Sequence, residues 1–132
     1  MPPNSPFFHT QRLPDLPDAL APDGSAVRLL LRLNGGSMAH FELAAGQTSI
    51  AVAHRTVEEL WFFLGGRGEM WRKLGDQESV VTVEAGVSIS IPCGAHFQFR
   101  AFAEHPPLAA IAVTMPPWPG EDEAYRVNGL WS

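Results

Sequence analysis

Between Asp23 and Ile91 this chain contains no proline at all, although six of its twelve prolines precede Asp23 and five follow Pro92. Proline gives no N–H to a hydrogen-bonded ladder and is confined in sheets to edges, first positions and bulges. A proline-free middle of this length suits a sheet in which every backbone donor is used. Other turn-formers divide that middle: Asn34-Gly35-Gly36, Ala45-Gly46-Gln47, Gly65-Gly66, Gly75-Asp76, Ala85-Gly86 and Cys93-Gly94, with His105-Pro106-Pro107 further on. The runs between them recur at roughly ten-residue spacing, the pattern of an all-β sandwich or barrel. Predicted strands are Val27–Leu33, Met38–Leu43, Thr48–His54, Glu59–Leu64, Gly68–Lys73, Ser79–Glu84, Val87–Pro92, Phe97–Phe102 and Leu108–Thr114. Val87-Ser88-Ile89-Ser90-Ile91 alternates cleanly, which marks a strand with one buried face.

The chain divides into an N-terminal arm (residues 1–26), a barrel (27–114) and a C-terminal tail (115–132) expected to pack back through Tyr125, Val127, Leu130 and Trp131. In the arm, Phe7, Phe8 and Leu13 are candidates to drape over the barrel or a second subunit. A length of 132 residues is one ordinary domain, and 45% hydrophobic with 17% charged residues is a globular composition. The single cysteine forbids an internal disulfide and fits a reducing compartment. A net charge of −5, with the basic residues scattered, argues against a nucleic-acid partner. No apolar run has the length of a membrane span, and the N-terminus lacks a hydrophobic signal region. The expectation is a cytoplasmic protein with no membrane partner.

One spacing carries more. Gly46 is followed by five residues, Val52, one residue, His54, four residues, Glu59, six residues and Gly66. This resembles the first signature of the cupin family: glycine, five residues, histidine, one, histidine, three or four, glutamate, six, glycine. In that family the histidines and the glutamate hold a metal inside a small β-barrel; here Val52 stands at the first histidine position. The second signature is glycine, five, proline, one, glycine, two, histidine, three, asparagine. It is matched by Gly86, Pro92 and Gly94, with Phe97 at the histidine position and Ala101 at the asparagine. The stretch Glu58–Gly66 and the Ile91-Pro92 pair also look like small cupins. The resemblance covers residues 27–114. It implies a double-stranded β-helix, a jelly-roll-like cupin barrel, with an interior pocket and frequent homodimers. It also implies a divalent transition metal (zinc, iron, manganese or nickel) at His54 and Glu59.

Strand geometry is consistent with that placement. Side chains two apart share a face, so Ile50, Val52 and His54 point one way. Glu59, Trp61 and Phe63 do likewise on the next strand, with Leu60, Phe62 and Leu64 on the other side. The candidate ligand pocket is Val52, His54, Glu59, Trp61, Phe63, Phe97 and Phe99, mostly apolar with two aimed polar groups. His96, one residue before the signature position, is the candidate third metal ligand. If the turn is one residue short, His96, Gln98 and Arg100 face inward; otherwise Phe97 and Phe99 do, because a one-residue slip exchanges the faces. Burying two aromatics while leaving an arginine outside favours the second register.

Two functions stay open. In one, Val52 and Phe97 have closed the metal site and left a cup for a small organic molecule. Alternatively His54 and Glu59, with His96 or waters, serve a metal-dependent isomerase, dioxygenase or decarboxylase type of enzyme, or Glu59 acts as a metal-free acid or base. Elsewhere, His40 alternates with Glu42 opposite the apolar Ala39, Phe41 and Leu43, which places it on an outer or interface face. His9 and His105 are expected in solvent and Cys93 as a small buried filler. Gly65-Gly66-Arg67-Gly68 lacks the spacing of a phosphate loop and reads as a connection between strands, with Arg67 solvated. Trp118, rigid between prolines, is expected to cap one barrel end or join a subunit contact.

Overall fold

The computed structural model describes residues 8–131. Eleven strands form: β1 (Ala19–Leu20), β2 (Ala26–Leu33), β3 (Gly36–Leu43), β4 (Val52–His54), β5 (Glu58–Gly65), β6 (Arg67–Leu74), β7 (Gln77–Glu84), β8 (Ser88–Ile91), β9 (His96–Ala101), β10 (Leu108–Met115) and β11 (Ala124–Arg126). They make two antiparallel sheets, in the orders β1-β2-β3-β10-β5-β8 and β11-β4-β9-β6-β7. From β3 onward the chain crosses between sheets at nearly every connection, and only the β6–β7 hairpin stays within one. That winding is the double-stranded β-helix, the all-β cupin barrel that the two signatures imply.

All nine predicted strands form, and the alternation decides which side chains enter the barrel. On β5, Glu59, Trp61 and Phe63 are buried while Leu60, Phe62 and Leu64 are exposed. On β9, Phe97 and Phe99 face inward, so the register with two aromatics inside is the one adopted. Trp61 is the hub of the core. Its ring stacks on Phe41 with centroids 5.2 Å apart and meets Phe63, Phe97 and Phe99 at 6.0, 6.0 and 5.2 Å. Met70, Val83, Ile91 and Leu108 close the remaining space. Each such side chain contributes about 1.5–3 kcal/mol by leaving water, so the interior is a packed core.

The first-signature glycines mark where this winding turns. Gly46 and Gly66 have φ of 81° and 74°, a region that side chains with a Cβ rarely enter. At Gly66 a Cβ would also meet the Pro107 carbonyl at 2.5 Å.

Three boundaries differ from the expectation. The segment from Thr48 runs as an extended loop held to β9 by an isolated Thr48–Arg100 bridge and by Ser49, and regular pairing starts only at Val52. The arm already contributes β1 to the first sheet, and the tail contributes β11 to the second. Of the arm residues expected to drape, Phe7 lies outside the described residues, and Phe8 and Leu13 are exposed. The arm is tied down by its backbone instead: Arg28 donates to the carbonyls of Pro14 and Asp15 at 2.8 and 2.9 Å.

The tail returns to the second sheet through contacts that the sequence does not announce, and Leu130, one of the residues expected to pack, is 47% exposed. Gln98 faces out of the barrel yet is buried, because its amide receives Trp131 N–H at 2.9 Å and donates to Trp131 and Ser49 carbonyls at 2.8 and 2.9 Å. Arg100, paired with Glu69, lies 4.3 Å over the Trp131 ring. Among the described residues no helix is long and apolar enough to cross a membrane.

Candidate functional site

His54 ends β4 and Glu59 sits one residue into β5, so the turn between them fixes their separation. Glu123 holds that turn. Its carboxylate accepts from the Thr56 and Val57 backbone N–H groups at 2.6 and 2.9 Å and from the Thr56 hydroxyl at 2.5 Å. Burial alone would raise the Glu123 pKa, but these bonds outweigh it and hold the carboxyl below its ordinary value.

Both site residues are buried, His54 at 5% exposure and Glu59 at 3%. Glu59 is fully engaged. Oε1 accepts from Trp61 Nε1 at 2.9 Å, and Oε2 accepts from the Thr114 hydroxyl at 2.6 Å. Thr114 stands directly opposite Glu59 on β10. The imidazole is not engaged: Nδ1 lies 4.0 Å from Glu59 Oε1, beyond hydrogen-bond reach, and is buried without a partner. The edges of two aromatic rings flank it, Phe97 and Trp118, each with its centroid 5.3 Å away. Trp118, anchored by its backbone N–H on the Ser37 hydroxyl at 2.9 Å, covers the imidazole at this end of the barrel.

Asp23 joins this neighbourhood from the loop after β1. Its Oδ1 accepts from the Ser25 N–H and hydroxyl at 2.9 and 2.6 Å. Burial pushes its carboxyl above the ordinary aspartate value against those bonds; the nearby Glu59 charge adds to the rise and His54 opposes it. The sequence reading did not single out Asp23 or Thr114. Thr114 had a signal, since it continues the inward alternation of Leu108, Ala110 and Ala112; Asp23, between Pro22 and Gly24, reads as a turn residue.

The seven expected pocket residues all come together, buried against one another. His96 does not join them. It is half-buried opposite Lys73 on β6, because burying Phe97 turns its predecessor to the other face. The residues present do not fit the metal that the resemblance implies. Both Glu59 oxygens already accept hydrogen bonds, and Val52 and Phe97 offer no donor atom. Among the described residues no three His, Cys, Asp or Glu side chains are grouped to hold an ion. Cys93, expected as a buried filler, is exposed, its thiol 3.3 Å from the Arg55 carbonyl. His40 is on the outer face as expected but buried; burial first, then the Arg28 charge, lowers its pKa. His9 and His105 are exposed, and Arg67 pairs on the surface with Glu84.

No family model and no curated protein matches the sequence. Solved structures do match. A conserved Klebsiella pneumoniae protein with a double-stranded β-helix domain superposes with a TM-score of 0.62 at 17% identity, over 80% of this chain and 85% of that one. The oxalate decarboxylase of Lactobacillus farciminis, in its formate complex, gives 0.67 at 17% identity over 78% of this chain and 31% of that one. The cupin domain of Schizosaccharomyces pombe Cnp3 gives 0.62 at 10% identity, over 70% and 61%. What the chain shares with them is the cupin fold.

Proposed function

We propose that the protein binds a small organic molecule at the Trp118 end of the barrel, with His54 and Glu59 as a hydrogen-bonding clasp and the metal site given up. One observation carries this reading: a ring nitrogen closed off from solvent, beside a carboxylate, and paired with nothing. A buried polar group left unpaired costs about 1–3 kcal/mol. A ligand hydroxyl, amide or carbonyl between imidazole and carboxylate would recover it. Trp61 and Thr114 orient Glu59 in advance, which lowers the cost of ordering on binding. Trp118, half-buried over the imidazole, is the group that must move to admit the ligand. The ligand class is a small apolar or aromatic body with one donor–acceptor group, held between Trp118 and the Phe97 ring that flanks His54.

NMR screening of aromatic alcohols, amides and ketones, read at the His54 imidazole nitrogens, tests the reading. Binders should shift those resonances and change Trp118 fluorescence, and His54→Ala should abolish both responses. A panel that leaves the imidazole signals of the folded protein unmoved refutes the clasp. The metal-dependent enzyme reading needs a third ligand that Val52 and Phe97 do not supply. Elemental analysis after purification without chelators should find metal far below stoichiometry, unchanged by soaking with zinc, nickel, manganese or iron(II). A full equivalent that disappears in His54→Ala would reverse that assignment.

We also infer that the protein pairs with a second copy through the outer face of the first sheet. Two rows cross that face: Met38, Val113, Leu60 and Ser90, and beside them His40, Ile111, Phe62 and Ser88. Leu60, Phe62, Leu64 and Met38 are 53%, 48%, 47% and 40% exposed, and Leu60, Phe62, Ile111 and Val113 line a shallow groove. The run Leu60–Leu64 is apolar on both faces, the pattern of a strand covered on both sides. By these exposures the patch offers on the order of 400 Å² per copy, about the size of the largest apolar patch on an ordinary monomer, which is often functional. Two such patches, with their serine rims, approach the roughly 1,000 Å² of a specific interface. The two rows carry no carboxylate, so two chains of net charge −5 can meet there. Light scattering at micromolar concentration should give a dimer that Phe62→Glu converts to monomer; a monomeric parent protein refutes the pairing.

A further inference from the structure

Arg72 stands in the inward-facing row that also holds Val52 and Phe97, near the same barrel end as His54. No carboxylate of the described residues forms an ion pair with its guanidinium. The ion pairs among them engage Arg28, His54, Arg67 and Arg100. One contact fixes Arg72: Nη1 donates to the Ser90 carbonyl of β8, in the opposite sheet, at 2.8 Å. Its Nε–H is buried and without a partner, and no protein acceptor engages Nη2 among the described residues. The unengaged edge is thus the one made by Nε and Nη2. That edge presents two parallel N–H groups and matches the two oxygens of a carboxylate.

The surroundings suit a small ligand. Arg72 lines a shallow groove with Gln77, Ser79, Ser90 and Pro92, and Ser79 lies opposite it on β7. Two charged residues share the groove. Lys73 adds positive charge, and the Glu78 carboxylate, which accepts from the Trp71 indole N–H at 2.7 Å, adds a negative one. Partial burial lowers the Arg72 pKa.

We propose that this groove is a carboxylate-binding site for a small free organic acid, anchored by the Nε–Nη2 edge of Arg72. Lysine cannot replace that anchor, because an ammonium is a point charge without the planar fork. The site stands on Arg72 alone and does not depend on the His54–Glu59 clasp.

The test is an NMR titration of the full-length ¹⁵N-labelled protein with sodium acetate, matched in ionic strength by sodium chloride. Acetate should move the Arg72 Nε–H resonance saturably, with the Ser79 and Ser90 amides following, and chloride should not. Arg72→Lys, which keeps the charge, should weaken acetate binding by about tenfold or more. His54→Ala should leave the acetate response intact, which separates this site from the clasp. An acetate response no different from that of chloride overturns the proposal, and so does Arg72→Lys binding acetate as tightly as the parent.

Discussion

Glu59 invites replacement by two residues of similar size that differ in what they leave behind. In Glu59→Leu the Trp61 indole N–H and the Thr114 hydroxyl lose their acceptors together, in a place with no water to replace them. Each orphaned donor costs about 1–3 kcal/mol, so the expected loss is roughly 2–5 kcal/mol after the relief of no longer burying a charge. In Glu59→Gln the amide oxygen can keep the indole bond. The threonine hydroxyl can rotate to accept from the amide NH₂, since a hydroxyl both donates and accepts. What disappears is the charge assistance, which is partly offset by the smaller desolvation penalty, so the expected cost is about 0–1.5 kcal/mol.

Urea denaturation of both variants, beside Thr114→Val and Glu59→Leu/Thr114→Val, separates the contributions. The double mutant should lose less than the sum of the singles, because the second change removes a donor that the first had already stranded. In a domain of this size the leucine variant should melt roughly 5–20 °C lower, and the glutamine variant within about 5 °C of the parent. A leucine variant as stable as the parent would refute the reasoning, since the carboxylate would then not be satisfying buried donors. For ligand binding the order differs: glutamine keeps the structure and changes the charge beside His54, so it separates the clasp from the scaffold.

Asp23→Asn keeps the Oδ1 acceptor for Ser25 but cannot ionise. Because burial raises the folded-state pKa of Asp23 above 3.8, its stabilising contribution is full below that value and is lost as pH rises through the folded pKa. Denaturation between pH 4 and pH 8 should therefore show the asparagine variant gaining on the parent as pH rises, and a difference that stays flat would remove Asp23 from the buried set. Gly129→Ala would bring a Cβ to 2.4 Å from Gln98 Oε1 and 2.8 Å from Ala51 Cβ. The tail should lift at a cost of about 1–3 kcal/mol and become sensitive to protease, whereas an unchanged Gln98 amide signal would show that the tail is not clamped there.

The legibility of this fold in its sequence follows the range of the interactions. Strands with several alternating residues were readable, because a period of two is a local property: Trp61 and Phe63 in, Leu60 and Phe62 out. β1 and β11 were not, since two or three residues beside Pro22 or after Gly120 carry no period; β1 forms only a short hairpin with β2, and β11 pairs with β4, distant in sequence. Gln98 sits between two phenylalanines and reads as a solvent-facing residue until the tail is known to return over it. Cys93 went the other way, a small apolar-looking residue at a turn that the fold leaves outside. His54 and Glu59 were legible from spacing, but Thr114, which bonds Glu59, and Asp23, whose charge lies near both, come from opposite ends of the chain. Arg72 could have been found, since it continues the inward alternation of Gly68 and Met70. A charged residue at an inward position near a strand's end is the signal that was passed over.

The proposal of a clasp in place of a metal rests on one cross-strand pair. Val52 and Phe97, at the two signature positions where the resemblance expects histidine, face each other across β4 and β9. A valine against a phenylalanine is a satisfied apolar contact that contributes up to about 1 kcal/mol to the sheet. A histidine at either place alone would set an imidazole against an apolar partner, with unpaired ring nitrogens costing about 1–3 kcal/mol. The two residues are therefore physically coupled: both polar around an ion, or both apolar within a core. Here they are apolar, and they join Trp61 and Phe99 in filling the barrel where an ion would have needed space. Polar chemistry is left to the rim, where His54, Glu59 and Thr114 meet under Trp118. Only there does a buried nitrogen of the barrel's signature residues remain without a partner, so a molecule recognised by this barrel would be recognised at its mouth.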